Sequence, residues 1–195
     1  DEATKNPTQV YVVVIEEVNR GNPAQIFGEM LTLLEADKRT PTERLSLSYM
    51  RDNEVPVYVP ENLFLIGTMN IADRSLALVD LALRRRFAFI NLRPEIGETW
   101  RRWVNTQHGL DDTFLQRIQT RMVDLNKKIS DDPRLGKQFQ VGHSYVTPSF
   151  HNKIDEPVEW FKDIVETEIY PLLEEYWFDS PNDAIKAKDA LIEGL

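Results

Sequence analysis

Two adjacent carboxylates, Glu16 and Glu17, directly follow a run of six apolar, mostly β-branched residues at positions 10–15. Such a run predicts a strand buried on both faces, as in a parallel sheet covered by helices. Ligands of open α/β sheets bind beyond the carboxyl ends of the strands, so the acidic pair is well placed to act on one. A buried strand that merely ends in solvated acids has the same pattern, and the pair alone leaves both interpretations open.

An apolar run followed by two acids has the Walker B form of nucleoside triphosphatases. In that form the first acid holds Mg²⁺, usually through water, and the second polarises the attacking water. The sequence therefore favours phosphate chemistry at Glu16 and Glu17.

The elements that must position these acids lie in the first half of the chain. Asn22 and Pro23 predict the N-cap and first residue of a helix that runs to about residue 37. A projecting hairpin is expected between residues 40 and 60, and residues 63–68 predict a second buried strand that ends at Met69 and Asn70. A short helix at 76–84 and a third strand at 88–92 complete this part. The expected buried face of the first helix comprises Ile26, Phe27, Met30, Leu31, Leu33 and Leu34.

The pattern becomes helical beyond Pro94. Asp111 or Asp112 predicts the cap of a helix that reaches about residue 130, and a long loop follows to residue 150. Pro157 opens another helix, which Pro171 should kink or restart, and a last helix begins at residues 180–181. We therefore expect an α/β domain at 1–94 and an all-helical domain at 95–195.

The composition excludes several classes of function. A formal charge of −9 argues against a nucleic-acid-binding surface, which needs clustered Lys and Arg. The chain has no cysteine and only three scattered histidines, so neither disulfides nor a zinc site are expected. No apolar run approaches the ~20 residues of a membrane-spanning helix, and we expect a cytoplasmic protein without membrane contact.

Four stretches of the sequence carry a family resemblance: IEEVNRGNPAQIFGEMLTLLEADKR, VPENLFLIGTMNIADRSLALVDLALRRRFAFINLRP, LGKQFQVGHSYVTP and IYPLLEEYWF. Together they resemble the C-terminal half of the AAA+ module of the McrB family, the GTPase subunits of modification-dependent restriction systems. The resemblance implies part of a P-loop NTPase αβα sheet followed by a helical lid. It also implies Mg²⁺ and GTP (or ATP) as cofactors, a ring that is a hexamer, a McrC-like nuclease partner, and a separate N-terminal domain that contacts DNA.

The phosphate-binding motif G-x-x-x-x-G-K-[ST] does not occur in the chain. We interpret the sequence as a fragment cut between this motif and the acidic pair, although a naturally truncated regulator would lack the motif too. The fragment alone is expected to be inactive and to bind no nucleotide or metal tightly.

The resemblance assigns roles around the first two strands. Glu16 takes the Mg²⁺ position, where the family usually has aspartate, and Glu17 orients and polarises the attacking water. Asn70 matches the sensor of the γ-phosphate, although a turn residue that satisfies local backbone groups is the alternative. Residues 70–73 also invite comparison with the N-K-x-D guanine reader, but a residue beside the γ-phosphate cannot also contact the base. Asp73 is therefore expected behind the residues that touch the cofactor, or at a subunit interface.

The same resemblance assigns an arginine finger to residues 84–86. Cations at a helix C-terminus can act simply through the helix dipole, but the family presents an arginine here to the neighbouring subunit's nucleotide. Arg85 or Arg86 is the expected finger, and Arg84 is expected to be structural. In the lid, no sensor arginine follows Gly142, so His143 or Tyr145 is expected near the nucleotide, unless both only pack the loop.

Two other classes of function remain open from sequence. One is a MoxR-type ATP-dependent remodelling ATPase, and the other is an adaptor that keeps the AAA+ fold without hydrolysis. A nucleotide panel on the full-length protein separates the first from a GTPase, and a missing phosphate loop in the upstream sequence would identify the second.

Overall fold

The computed structural model describes residues 2–72, 81–149 and 154–195. Its chain divides into two units, Asp1–Ile90 and Asn91–Leu195. The first combines strands with short helices, and the second is helical in its described residues. The expected order of an α/β part followed by a helical part is confirmed.

A two-stranded parallel sheet organises the first unit. Strands β1 (Tyr11–Ile15) and β2 (Leu63–Gly67) pair from Tyr11 opposite Leu63 to Ile15 opposite Gly67. The helices are α1 (Glu2–Lys5), α2 (Pro23–Phe27) and α3 (Leu81–Arg84), with 3₁₀ turns at Gly28–Leu34, Ala36–Lys38 and Pro41–Glu43. The first two of the three predicted strands are thus present.

Neither strand is buried on both faces. Val14 is 57% exposed and Ile66 is 52% exposed, and Val12, Val13 and Phe64 are exposed as well. The prediction of a doubly buried strand is therefore wrong for this chain, because the elements of the first unit leave both faces of the two-stranded sheet in contact with solvent. The apolar composition correctly predicted the strand but not its cover.

The helix after Asn22 begins as predicted and ends early. Asn22 Oδ1 accepts a hydrogen bond from the Gln25 N–H at 3.2 Å, and Pro23 occupies the first turn. The α-helix ends at Phe27 because Gly28 adopts φ +49°, and the chain continues as 3₁₀ helix. The predicted extent to residue 37 is wrong, and only Leu31 and Leu33 of the predicted face are buried.

Two further predictions have different outcomes. The hairpin is confirmed in a minimal form, closed by reciprocal backbone hydrogen bonds of 2.8 and 3.0 Å between Leu45 and Val57. The third strand at 88–92 is wrong, since these residues form no strand and Ile90 and Leu92 are exposed. Of the short helix predicted at 76–84, only Leu81–Arg84 lies within the described residues.

The second unit is built around one long helix. Helix α5 (Asp112–Asp131) follows α4 (Glu98–His108) and is capped by Asp111, whose Oδ1 accepts a hydrogen bond from the Phe114 N–H at 3.0 Å. The predicted cap and length are confirmed. Helix α5 contributes five buried apolar residues to the core of this unit: Leu115, Ile118, Met122, Leu125 and Ile129.

A second long helical segment changes its winding before a proline. Helix α6 (Pro157–Ile164) continues as a π-helical turn, Val165–Ile169, and then as α7 (Tyr170–Tyr176). Pro171 has no N–H to donate to the preceding turn, so the predicted restart of the helix is confirmed. Helix α8 (Pro181–Ile192) closes the unit.

Hydrogen bonds to the Asp132 carboxylate link the end of α5 to other parts of the second unit. The pKa of Asp132 lies well below its usual range because Arg134 and Trp177 donate hydrogen bonds to its carboxylate. The distances to Asp132 Oδ2 are 2.9 Å from Arg134 Nη2 and 2.8 Å from Trp177 Nε1. Since the folded pKa is depressed, ionised Asp132 stabilises the fold above the usual carboxyl pKa, and this contribution is lost as the pH falls from there through the lower folded pKa.

A buried amide joins α5 to the loop that follows it. Asn126 is 6% exposed, its Oδ1 accepts a hydrogen bond from the Val141 N–H at 2.7 Å, and its Nδ2 donates to the Val141 carbonyl at 2.9 Å.

Replacing Asn126 with alanine should lower the free energy of unfolding by about 1–3 kcal/mol for each Val141 group left unpaired. Urea denaturation measures this change. Gln116→Ala removes an exposed amide from the same helix and should change stability little; equal effects of the two variants would contradict the role of Asn126.

Candidate active site

The ends of β1 and β2 bring the predicted acids and Asn70 to one edge of the sheet. The strands are parallel, and Ile15 lies opposite Gly67, so the residues after each strand leave the sheet side by side. The Thr68 N–H donates to the Ile15 carbonyl at 3.0 Å, and the Val18 N–H donates to the Thr68 carbonyl at 2.9 Å. The Glu17 N–H donates to Thr68 Oγ1 at 3.1 Å, which fixes the acidic turn against the second strand.

Glu17 has an unusual backbone conformation. Among the described residues it is the one non-glycine residue with positive φ, at +50°. Non-glycine residues are strained there, and such strain concentrates at functional sites. The Glu17 carboxylate is half exposed, and its Oε2 lies 2.8 Å from Arg20 Nε. The acid is thus accessible to a ligand and held by one exposed cation.

Glu16 is accessible at the same edge of the sheet. Its side chain is exposed, and no described residue forms an ion pair or hydrogen bond with it. Across the described ranges no cluster of three metal-binding side chains occurs, so this edge supplies at most Glu16 and Glu17. That set fits Mg²⁺, which keeps several waters and takes one or two carboxylates together with substrate phosphates.

Asn70 lies in a tight turn at the same edge. Its Oδ1 accepts a hydrogen bond from the Ala72 N–H at 3.0 Å, and its side chain is exposed. This contact is the one expected of a turn residue, which is the alternative that the sequence left open for Asn70. The sensor role stays a prediction, and Asp73 lies outside the described residues.

Asn19 is a residue of this site that the sequence reasoning missed. It is 5% exposed, and its Nδ2 donates to the Asn70 carbonyl at 3.1 Å. Its Oδ1 is buried and has no hydrogen-bond partner among the described residues. Asn19 therefore fastens the turn after β1 to the turn after β2. A single amide in a turn has no periodic pattern that could have predicted this contact.

The three consecutive arginines have different surroundings. Arg84 Cζ lies 5.7 Å from the centre of the Phe89 ring, and Arg86 Nη2 lies 2.5 Å from Glu35 Oε1. Arg85 is exposed and has no recorded hydrogen bond or ion pair with a described residue. Of the two candidates for the finger, Arg85 is the one whose guanidinium is available.

The predicted lid residues pack within the second unit. His143 Nδ1 accepts a hydrogen bond from the Glu95 N–H at 3.3 Å, and the His143 carbonyl accepts one from Thr147 Oγ1 at 2.6 Å. Tyr145 is half-buried near Tyr176, whose pKa is raised to about 12 by burial and by its tyrosine and glutamate neighbours. These contacts are those of loop packing, and a role for either residue at a nucleotide stays a prediction.

None of the helices in the described parts of the chain is long and apolar enough to cross a membrane.

Two family descriptions match the sequence: "AAA domain (dynein-related subfamily)" over residues 2–87, and "McrB, alpha-helical lid domain" over residues 117–185.

Two curated relatives come from restriction systems. The chain is 41% identical over 181 residues to the type IV methyl-directed restriction enzyme EcoKMcrB subunit of Escherichia coli (strain K12), a match that covers 92% of the chain and 39% of that protein. It is 31% identical over 102 residues to the type II restriction enzyme BsuMI component YdiS of Bacillus subtilis (strain 168), covering 48% of the chain and 30% of that protein. The chain thus spans well under half the length of either relative.

Proposed function

Because the chain belongs to the McrB-like AAA+ proteins, we propose that it carries the water-activating edge and the lid of a nucleoside triphosphatase that uses GTP rather than ATP. The observation that supports this proposal most directly is the parallel register of β1 and β2, which places Glu16, Glu17 and Asn70 at one edge. An adaptor without hydrolysis has no need of two accessible carboxylates at that point.

In this proposal each residue at the edge has one task. Glu16 holds Mg²⁺, which supplies charge neutralisation at the phosphate oxygens when it is bound. Glu17 orients the attacking water and accepts its proton, and Asn70 donates a hydrogen bond from its amide to the γ-phosphate or that water. Glu17 must exchange Arg20 for water, and this costs little because an exposed ion pair contributes only ~0–1 kcal/mol.

The arginine acts from another subunit. Of the two finger candidates, Arg85 is the exposed one, and a planar cation that stays charged at all working pH values suits the charge of a phosphoryl transition state. In the proposed assembly this group enters the nucleotide site of the neighbouring subunit in a ring, and a McrC-type nuclease is the partner that uses the hydrolysis. Contact with DNA belongs to a separate domain, because the chain is acidic. We place this assembly in the cytoplasm.

A nucleotide panel tests the proposal. The full-length protein with Mg²⁺ should hydrolyse GTP in preference to ATP, whereas residues 1–195 alone should neither bind nor hydrolyse either nucleotide, because they contain no phosphate-binding loop. Phosphate release and titration calorimetry measure the two quantities. Preference for ATP would favour a remodelling ATPase, absence of turnover would favour an adaptor, and micromolar binding by residues 1–195 would contradict the expected inactivity of this segment.

A further inference from the structure

The Glu35–Arg86 ion pair joins two segments that are far apart in sequence. The contact is 2.5 Å between Glu35 Oε1 and Arg86 Nη2, and the Arg86 side chain is 15% exposed. From it we infer that Glu35 is a positioning residue for the arginine finger: by holding Arg86 inward, it presents Arg85 to solvent and to a neighbouring subunit. The inference rests on the proposed function and deepens it.

Glu35 stands on a fixed backbone. It lies between the 3₁₀ turns Gly28–Leu34 and Ala36–Lys38, where its N–H donates to the Thr32 carbonyl at 3.2 Å and its carbonyl accepts from the Lys38 N–H at 3.0 Å. Leu31 and Leu33, just before it, are buried. Because the backbone of Glu35 is held on both sides, its carboxylate can restrain a partner better than one on an unsupported loop.

The charges around Glu35 make Arg86 its specific partner. Lys38 is the nearby competing cation, but its Nζ lies 2.9 Å from Glu43 Oε2, and this hydrogen bond is the main cause of its raised pKa. Arg86 is mostly buried, so its guanidinium needs a carboxylate more than an exposed one does. Removing Glu35 would take this ion pair away from Arg86 and favour a shift of the arginine segment.

The position of Arg86 determines that of Arg85. The segment continues directly from α3, where the N–H groups of Arg86 and Phe87 both donate to the Leu83 carbonyl, at 2.9 and 3.1 Å. Successive side chains at a helix end point about 100° apart. With Arg86 paired to Glu35 and Arg84 over Phe89, Arg85, which lies between them in the sequence, is exposed.

The test compares two single ion pairs of the same region in the full-length protein. Glu35→Gln keeps the side-chain shape and removes the charge, so kcat should fall roughly 10- to 100-fold, the effect of a displacement of about 1 Å at a catalytic group. Nucleotide Kd should stay close to that of the wild type, whereas the thermal unfolding temperature should fall, because a mostly buried cation loses an ion-pair partner. Glu43→Gln breaks the Lys38 pair instead and should leave kcat unchanged. The reversed pair, Glu35→Arg with Arg86→Glu, should recover part of the lost turnover.

Mixing separates this inference from the proposed function. Glu17→Gln subunits keep the finger and its anchor, so adding them to Glu35→Gln subunits should restore activity at interfaces where an intact acid faces an intact finger. Wild-type turnover of Glu35→Gln, while Glu17→Gln is inactive, would overturn the positioning role alone. Normal turnover of Glu17→Gln itself would overturn the proposed function. If Glu35→Gln lost nucleotide binding together with a lowered unfolding temperature, Glu35 would have a general structural role. That result would also overturn the inference.

Discussion

The full-length Glu17→Gln variant is expected to bind nucleotide almost as the wild type does while its turnover falls about 10²- to 10⁴-fold, the usual contribution of a general base. Amide and carboxylate have nearly the same shape, so the turn and its hydrogen bond to Thr68 should persist. Only the carboxylate accepts the proton of the attacking water or holds that water through a charge-assisted bond. Single-turnover phosphate release and equilibrium nucleotide binding measure the two effects separately.

A matched control for Glu17 lies at the opposite end of β2. Glu61 is an exposed acid just before that strand, so Glu61→Gln removes the same charge without touching the proposed edge. Its turnover and binding should equal those of the wild type. If Glu17→Gln lost binding and turnover to a similar extent, Glu17 would have a structural role, because transition-state and ground-state interactions would then be lost together.

Local sequence patterns predicted the elements that support the candidate site. The apolar runs before Glu16 and Asn70 became the paired strands β1 and β2, and the 3.6-residue spacing of apolar residues after Asp111 became α5. Each of these signals lies within one stretch of chain. For that reason the edge that carries Glu16, Glu17 and Asn70 could be predicted from sequence.

The remaining features depend on contacts between distant stretches or on a single backbone conformation. Asn19 and Asn126 each bond the backbone of another segment, and an isolated amide leaves no periodic pattern in the sequence. The positive φ of Gly28 ended a helix whose apolar spacing continued beyond it. Exposure of Val14 was not predictable either, since burial depends on what covers a strand rather than on the strand's own residues.

Alanine variants of the three arginines should differ clearly in their turnover. Arg85→Ala is expected to lower turnover by about 10³- to 10⁵-fold, the contribution of an arginine finger, while each subunit still binds nucleotide. Arg86→Ala should cost less, because Arg86 acts through its contact with Glu35 and not on the phosphate. Arg84→Ala, which removes the cation beside Phe89, is the matched control for removing a neighbouring charge and should have the smallest effect on kcat.

Mixing two inactive variants tests whether Arg85 acts across a subunit boundary. A Glu17→Gln subunit keeps Arg85, and an Arg85→Ala subunit keeps Glu17, so a mixed ring contains some interfaces in which an intact acid faces an intact finger. Activity should therefore reappear on mixing, up to the fraction of such interfaces, if neighbouring sites fire independently. If subunits exchange and the mixture stays inactive, either Arg85 acts within its own subunit or the ring tolerates no defective member. Adding an excess of wild-type subunits to either variant distinguishes these cases. If the ring tolerates no defective member, the variant subunits also abolish the activity of the wild-type subunits. If Arg85 acts within its own subunit, the activity stays proportional to the number of wild-type subunits.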